Sequence, residues 1–178
     1  MIDLGHPAQR HIRAALSASL DAVGLPTSSS QSDSARDREL LGLPAVERVC
    51  FVLADGLGWF NLQSRIGHAP TLRAWNAEAP ISSAVPSTTA AAITTICTGE
   101  LPGRTSMLSY ELRSPHTGRG FSLITWEKSG LDPSAWQPEA TIFERLGERS
   151  TERAVVQQRK FVGSGLTLCA YRGAHTVM

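Results

Sequence analysis

The chain has 178 residues, 42% hydrophobic, 19% charged and 6% aromatic, which excludes wholesale disorder and lets one core form without disulfides or a structural metal. Seventeen basic residues against sixteen acidic ones leave a net charge of +1, so no global field draws the protein to a nucleic acid polymer or an anionic membrane. Fifteen of the basic residues are Arg; the guanidinium fork suits phosphate, but compositional bias of the source genome is the preferred account of the count. Cys50, Cys97 and Cys169 lie far apart with no Cys-x-x-Cys pair, as in a reducing compartment. The apolar runs fall short of the ~18 residues that cross a bilayer, and charges interrupt Met1 to Asp21. A cytoplasmic protein without a membrane partner is expected.

In chain order, Ile12, Leu16, Leu20 and Val23 recur at helical spacing over 8–23, and Gly24 and Pro26 supply a stop, so an amphipathic surface helix is predicted. Residues 27–38 turn to Ser, Gln, Asp and Arg, the composition of a solvated loop. This divides the chain into an N-terminal helix (1–26), a polar linker (27–45) and a main domain (46–178). Residues 48–54, Arg-Val-Cys-Phe-Val-Leu-Ala, read as a strand buried on both faces of a mainly parallel sheet. Helices follow near 59–65 and 71–77, then a strand over 81–85 that Pro86 stops. An Ala- and Thr-rich helix over 89–97 closes at Thr98-Gly99. Residues 100–138 are punctuated by Gly, Pro and Ser around the apolar stretch 121–126; a helix over 139–149 and a strand over 154–157 come next. Strands alternating with helices predict an α/β domain with a parallel sheet.

Two places could carry chemistry. Asp55 follows the predicted buried strand, at the carboxyl edge where open α/β sheets collect ligands. Gly56 and Gly58 let the backbone turn beside it. The plainer alternative is that Asp55 caps the next helix, and the Gly-x-Gly pair lacks the rest of a dinucleotide fingerprint. The second place is Pro86-Ser87-Thr88-Thr89-Ala90, three hydroxyls at a strand-to-helix junction. Unpaired N–H groups and the positive end of the helix dipole favour a phosphate there, within reach of a hydroxyl nucleophile. Here the plainer alternative is an ordinary Ser/Thr N-cap.

Together these segments resemble the alkaline phosphatase superfamily, and within it the bacterial nucleotide pyrophosphatase/phosphodiesterase branch. The matching pieces are Val52-Leu53-Ala54-Asp55-Gly56-Leu57-Gly58-Trp59, Ala69-Pro70-Thr71-Leu72, and Val85-Pro86-Ser87-Thr88-Thr89 running on to Thr98-Gly99 and Leu101-Pro102-Gly103. Residues 163–167 and 172–174 are similar to later segments of that branch, so the resemblance spans most of 46–177. It implies a three-layer sandwich around a mainly parallel sheet, and two divalent metal ions, expected to be zinc. Asp55 would ligate one ion; Thr89 would touch the same ion and attack phosphorus, giving a covalent phosphothreonine. The register from Pro86 to Gly99 selects Thr89 over Thr88, leaving Ser87 and Thr88 as supporting or capping residues. The implied activity is hydrolysis of a phosphodiester or nucleotide pyrophosphate in a small-molecule substrate.

The chain departs from that pattern in two respects. Where many members carry Asn-His after the nucleophile and His-Gly past the Pro-Gly turn, it has Ala92-Ile93 and Thr105-Ser106, and the polar residue near the transferred phosphoryl group falls at Tyr110. Beyond Thr89 its only Asp is Asp132 and its only histidines are His116 and His175, too few and wrongly spaced to complete two zinc sites. The sequence thus reads as the N-terminal portion of a longer, truncated domain, inactive alone. Two alternatives accompany the diesterase: a phosphomonoesterase, phosphonate hydrolase or sulfatase-like hydrolase, and a noncatalytic fragment or binding module. His6, His11 and His68 are expected in solvent, as are Lys128 and Arg104, and Trp59, Trp75, Trp126 and Trp136 in the core or at its rim.

Overall fold

The computed structural model describes residues 10–75, 80–127, 129–147 and 154–177. A 3₁₀ turn over Ile12–Ala14 leads into helix α1, Ala15–Ala22. His11 caps this start, its Nδ1 accepting the Arg13 N–H at 3.1 Å. It is buried, contrary to the expectation of solvent. Helix α1 is not a surface helix with one apolar face: Leu16, Ala18 and Ala22 are buried, and so are Ser17 and Ser19.

The polar cover comes from α2, Ser34–Leu41, which packs on α1. Asp33 caps α2 by accepting the Ala35 and Arg36 N–H groups, and Gly42 closes it in the left-handed region at φ 68°, where Gly costs least. The solvated linker expected over 27–45 therefore contains a docked helix. Its composition hides this because polar pairs fasten it. Arg13 and Asp37, both buried, lie 3.6 Å apart; Ser17 and Ser32 donate to Asp37; and Arg38 reaches Asp21 at 3.4 Å.

Residues 48–54 form no ladder and are exposed, Val52 to 81%. A strand buried on both faces needs paired neighbours and covering layers, and the described residues supply neither. The 81–85 segment makes a single parallel bridge, Ser82 to His11. Helices α3, Trp59–Ser64, and α4, Pro70–Ala74, lie between, α4 with Pro at its first turn. Trp75 is 74% exposed rather than in the core, and residues 76–77 of the predicted helix lie outside the described residues.

Helix α5, Thr89–Thr98, is the hub. It buries Ala90, Ala91, Thr94, Thr95, Ile96, Cys97 and Thr98, and ends at Gly99 with φ 72°. After α6, Pro102–Thr105, strands β1, Glu111–Arg113, and β2, Gly120–Ser122, pair antiparallel with Leu112 opposite Phe121. Helix α7, Pro133–Trp136, precedes α8, Ile142–Leu146; residues 148 and 149 of the predicted last turn lie outside the described residues. Thr141 and Glu144 form a reciprocal capping box on α8. Burial alone would raise the Glu144 carboxyl, but the Thr141 amide and the Arg172 guanidinium hold it below its usual value. Strand β3, Val155–Val156, precedes α9, Gly165–Ala170, and pairs in parallel with β4, Thr176–Val177.

Ala90, Ile96 and Cys97 of α5 share one core with Phe121, Leu123, Trp126, Ile142, Leu146, Leu166 and Cys169. Phe121, Trp126 and Trp136 meet tilted or edge-on, with ring centroids 5.1 to 5.9 Å apart. Burial pushes the Cys97 thiol up, and the Cys169 thiol up to about 12. The architecture is mixed α/β. Among the described residues the strands form two two-stranded ladders, and a three-layer sandwich on a mainly parallel sheet is not seen. No described helix is long and apolar enough to cross a membrane.

Candidate active site

Local chemistry frees two side chains to meet. At the end of the apolar segment, Leu57 N–H donates to the Ala54 carbonyl at 3.3 Å, and Gly56 takes φ 74°, a turn that L residues resist. Asp55 stands in this turn and caps nothing: α3 starts at Gly58, whose N–H donates to the Asn61 side-chain oxygen at 3.3 Å. At the other segment Thr88 takes the capping task, its hydroxyl accepting the Ala91 N–H at 3.4 Å. Thr89, the first residue of α5, therefore has its own hydroxyl available.

The Thr89 hydroxyl donates to the Asp55 carboxylate, 3.1 Å from Oδ2 and 3.4 Å from Oδ1. Asp55 is exposed and Thr89 half-buried, so an outside molecule has access to the pair. The hydroxyl proton points at an acceptor, and a lone pair of Oγ1 is left for an electrophile. The ten-residue helix behind it directs its positive end towards this point, which favours a negatively charged substrate.

None of the other candidates among the described residues makes a hydrogen bond to this pair. Tyr110 is 53% exposed at the approach to β1. Arg104 is not a free loop cation: its Nε lies 3.3 Å from Glu100 and its Nη2 2.8 Å from Glu139. Ser87, His68, His116 and His175 are exposed. Asp132 caps α7 through the Ser134 N–H at 2.9 Å. His6 and Lys128 lie outside the described residues.

Asp55 and Thr89 offer one carboxylate and one hydroxyl as metal ligands. Among the described residues no group of three or more His, Cys, Asp or Glu could hold a metal ion. Two zinc sites of about four ligands each do not fit the described residues.

The family model for type I phosphodiesterase / nucleotide pyrophosphatase matches residues 49–166. The chain belongs to that family. This type I phosphodiesterase-family match takes in Asp55, Thr89, all of α5 and most of the core, which extends beyond it to Leu16, Cys169 and Ala170; α1, α2 and the loop between them lie before it. Searches of curated proteins and of solved structures returned no significant match. The family is one of phosphodiesterase and pyrophosphatase hydrolases in the alkaline phosphatase superfamily, so the resemblance read from the motifs holds.

Proposed function

We propose that this chain carries the nucleophile of a metal-dependent hydrolase acting on a phosphodiester or nucleotide pyrophosphate bond of a small molecule. The observation that carries this reading is the hydrogen bond from the Thr89 hydroxyl to Asp55 at 3.1 Å. Thr89 Oγ1 attacks phosphorus: an O–P bond forms, the P–O bond to the leaving alcohol or phosphate breaks, and the hydroxyl proton passes to the Asp55 carboxylate. Phosphorus stays on threonine until water cleaves the new ester and restores the hydroxyl. The helix dipole behind Thr89 favours the anionic group throughout.

Metal dependence belongs to the proposal, with Asp55 and Thr89 as the ligands this chain would offer. The native protein assayed on an aryl phosphodiester with zinc tests the nucleophile. Thr89→Ala is expected to lower kcat at least ~1000-fold, because the covalent route is lost; unchanged turnover refutes the assignment.

The second reading, a noncatalytic binding module, is favoured by the lack of a metal-ligand cluster among the described residues. Calorimetric titration of the 178-residue chain with zinc addresses it. An incomplete site predicts weak or no binding; two tightly held ions per chain would contradict the incompleteness on which this reading stands.

A further inference from the structure

Helix α5 is gripped at both ends by residues that precede the family match. At its entry, Ile12 N–H donates to the Ser82 carbonyl at 2.8 Å and Ser82 N–H to the Arg10 carbonyl at 2.9 Å. His11 joins there: its Nδ1 already accepts the Arg13 N–H, so its Nε2 carries the proton and donates to the Ser83 carbonyl at 3.1 Å. This contact lies six residues before Thr89.

At its exit, the loop between α1 and α2 closes on Gly99, Glu100 and Leu101. Glu100 is 1% exposed. Its Oε1 accepts the Ser30 N–H at 2.8 Å, and the Ser30 hydroxyl lies 2.8 and 2.9 Å from its two oxygens. Gln31 Oε1 accepts the Leu101 N–H at 2.8 Å, and Ser29 donates to the Gly99 carbonyl at 3.1 Å. A Cβ on Gly99 would stand 3.1 Å from the Ser32 Cβ, so glycine also permits the close approach. An open cleft of about 260 Å³, lined by Gln31, Val85, Leu101 and Arg104 among others, brings the loop, the entry and the exit of α5 around one space.

We propose that Glu100 is a positioning residue: by fastening the 28–32 loop to the end of α5 it holds the helix, and with it Thr89, at the distance that meets Asp55. A buried carboxylate must be compensated; besides Arg104 at 3.3 Å, the compensation comes from Ser30 and so ties two distant parts of the chain together. The functional weight of this inference rests on Thr89 being the nucleophile; the mechanical claim does not.

Amide hydrogen exchange on the full chain tests it. The reporter is Ala92 N–H, which bonds the Thr88 carbonyl in the first turn of α5. The reference is Leu168 N–H in α9, which packs on α5. In Glu100→Ala the Ala92 rate is expected to rise about tenfold relative to Leu168, although the helix puts about 15 Å between its two ends. Glu100→Gln keeps an oxygen for the Ser30 N–H and is expected to stay within about twofold of the parent ratio.

The proposal is overturned if Ala92 and Leu168 accelerate equally, if faster exchange stops at Ser30 and Leu101, or if Glu100→Gln behaves as the alanine. Should Glu100→Ala not fold, Ser30→Ala is read the same way: a raised Ala92-to-Leu168 ratio supports the grip and an unchanged ratio refutes it. Turnover surviving Thr89→Ala would sink the assignment of Thr89 as the nucleophile while leaving this result untouched.

Discussion

Thr94 and Thr95 sit midway along α5 with their hydroxyls fully buried and unpartnered. Such a group has lost water without gaining a hydrogen bond, at a cost of about 1–3 kcal/mol. Thr94→Val keeps the branched shape and removes the orphaned oxygen, so it is expected to stabilise the chain by about 1 kcal/mol, raising Tm by about 2–4 °C. Thermal unfolding followed by circular dichroism checks this; a lowered Tm would mean that the hydroxyl has a partner. Asp55 and Thr89 stand out in the sequence because Asp55 ends an apolar segment and Thr89 opens an Ala- and Thr-rich helix. Glu100 is not, since its partner Ser30 lies 70 positions away and neither residue stands in a pattern. His11 fails for the same reason: an isolated histidine reads as solvated, and only the fold brings the Ser83 carbonyl to its ring.

At the scale of elements, capping chemistry transfers directly from sequence to structure. Helix α5 starts and stops where Thr88 and Gly99 dictate, and Pro70 opens α4. Helix α2 was hidden because its attachment is ionic and hydroxylic rather than apolar, so a hydrophobic period says nothing about it. The 48–54 segment fails in the opposite sense. Its apolar content reads as a buried strand, yet strand formation depends on partners that local sequence does not encode, and here Val49, Phe51, Val52 and Leu53 are exposed. Unpaired apolar backbone of this kind is a template for association. The chain is expected to self-associate with rising concentration in sedimentation velocity, and Val52→Lys to shift it towards monomer. A parent chain that stays monomeric at all concentrations contradicts this.

For the whole molecule, the helical pair α1 and α2 holds α5, α5 presents Thr89, and the 46–58 stretch brings Asp55 to meet it. The mixed α/β character and the family were legible because motif order survives in sequence; the sheet was not, because its completeness depends on neighbours along every edge. The most direct measurement is acid quench of the native protein during turnover of an aryl phosphodiester, followed by mass spectrometry of the peptide containing Thr88 and Thr89. The phosphoryl group, still carrying the ester that does not leave, is expected on Thr89 and absent from Thr89→Ala. An unmodified peptide at each time sampled across the turnover, or a phosphoryl group on another residue, would contradict the account.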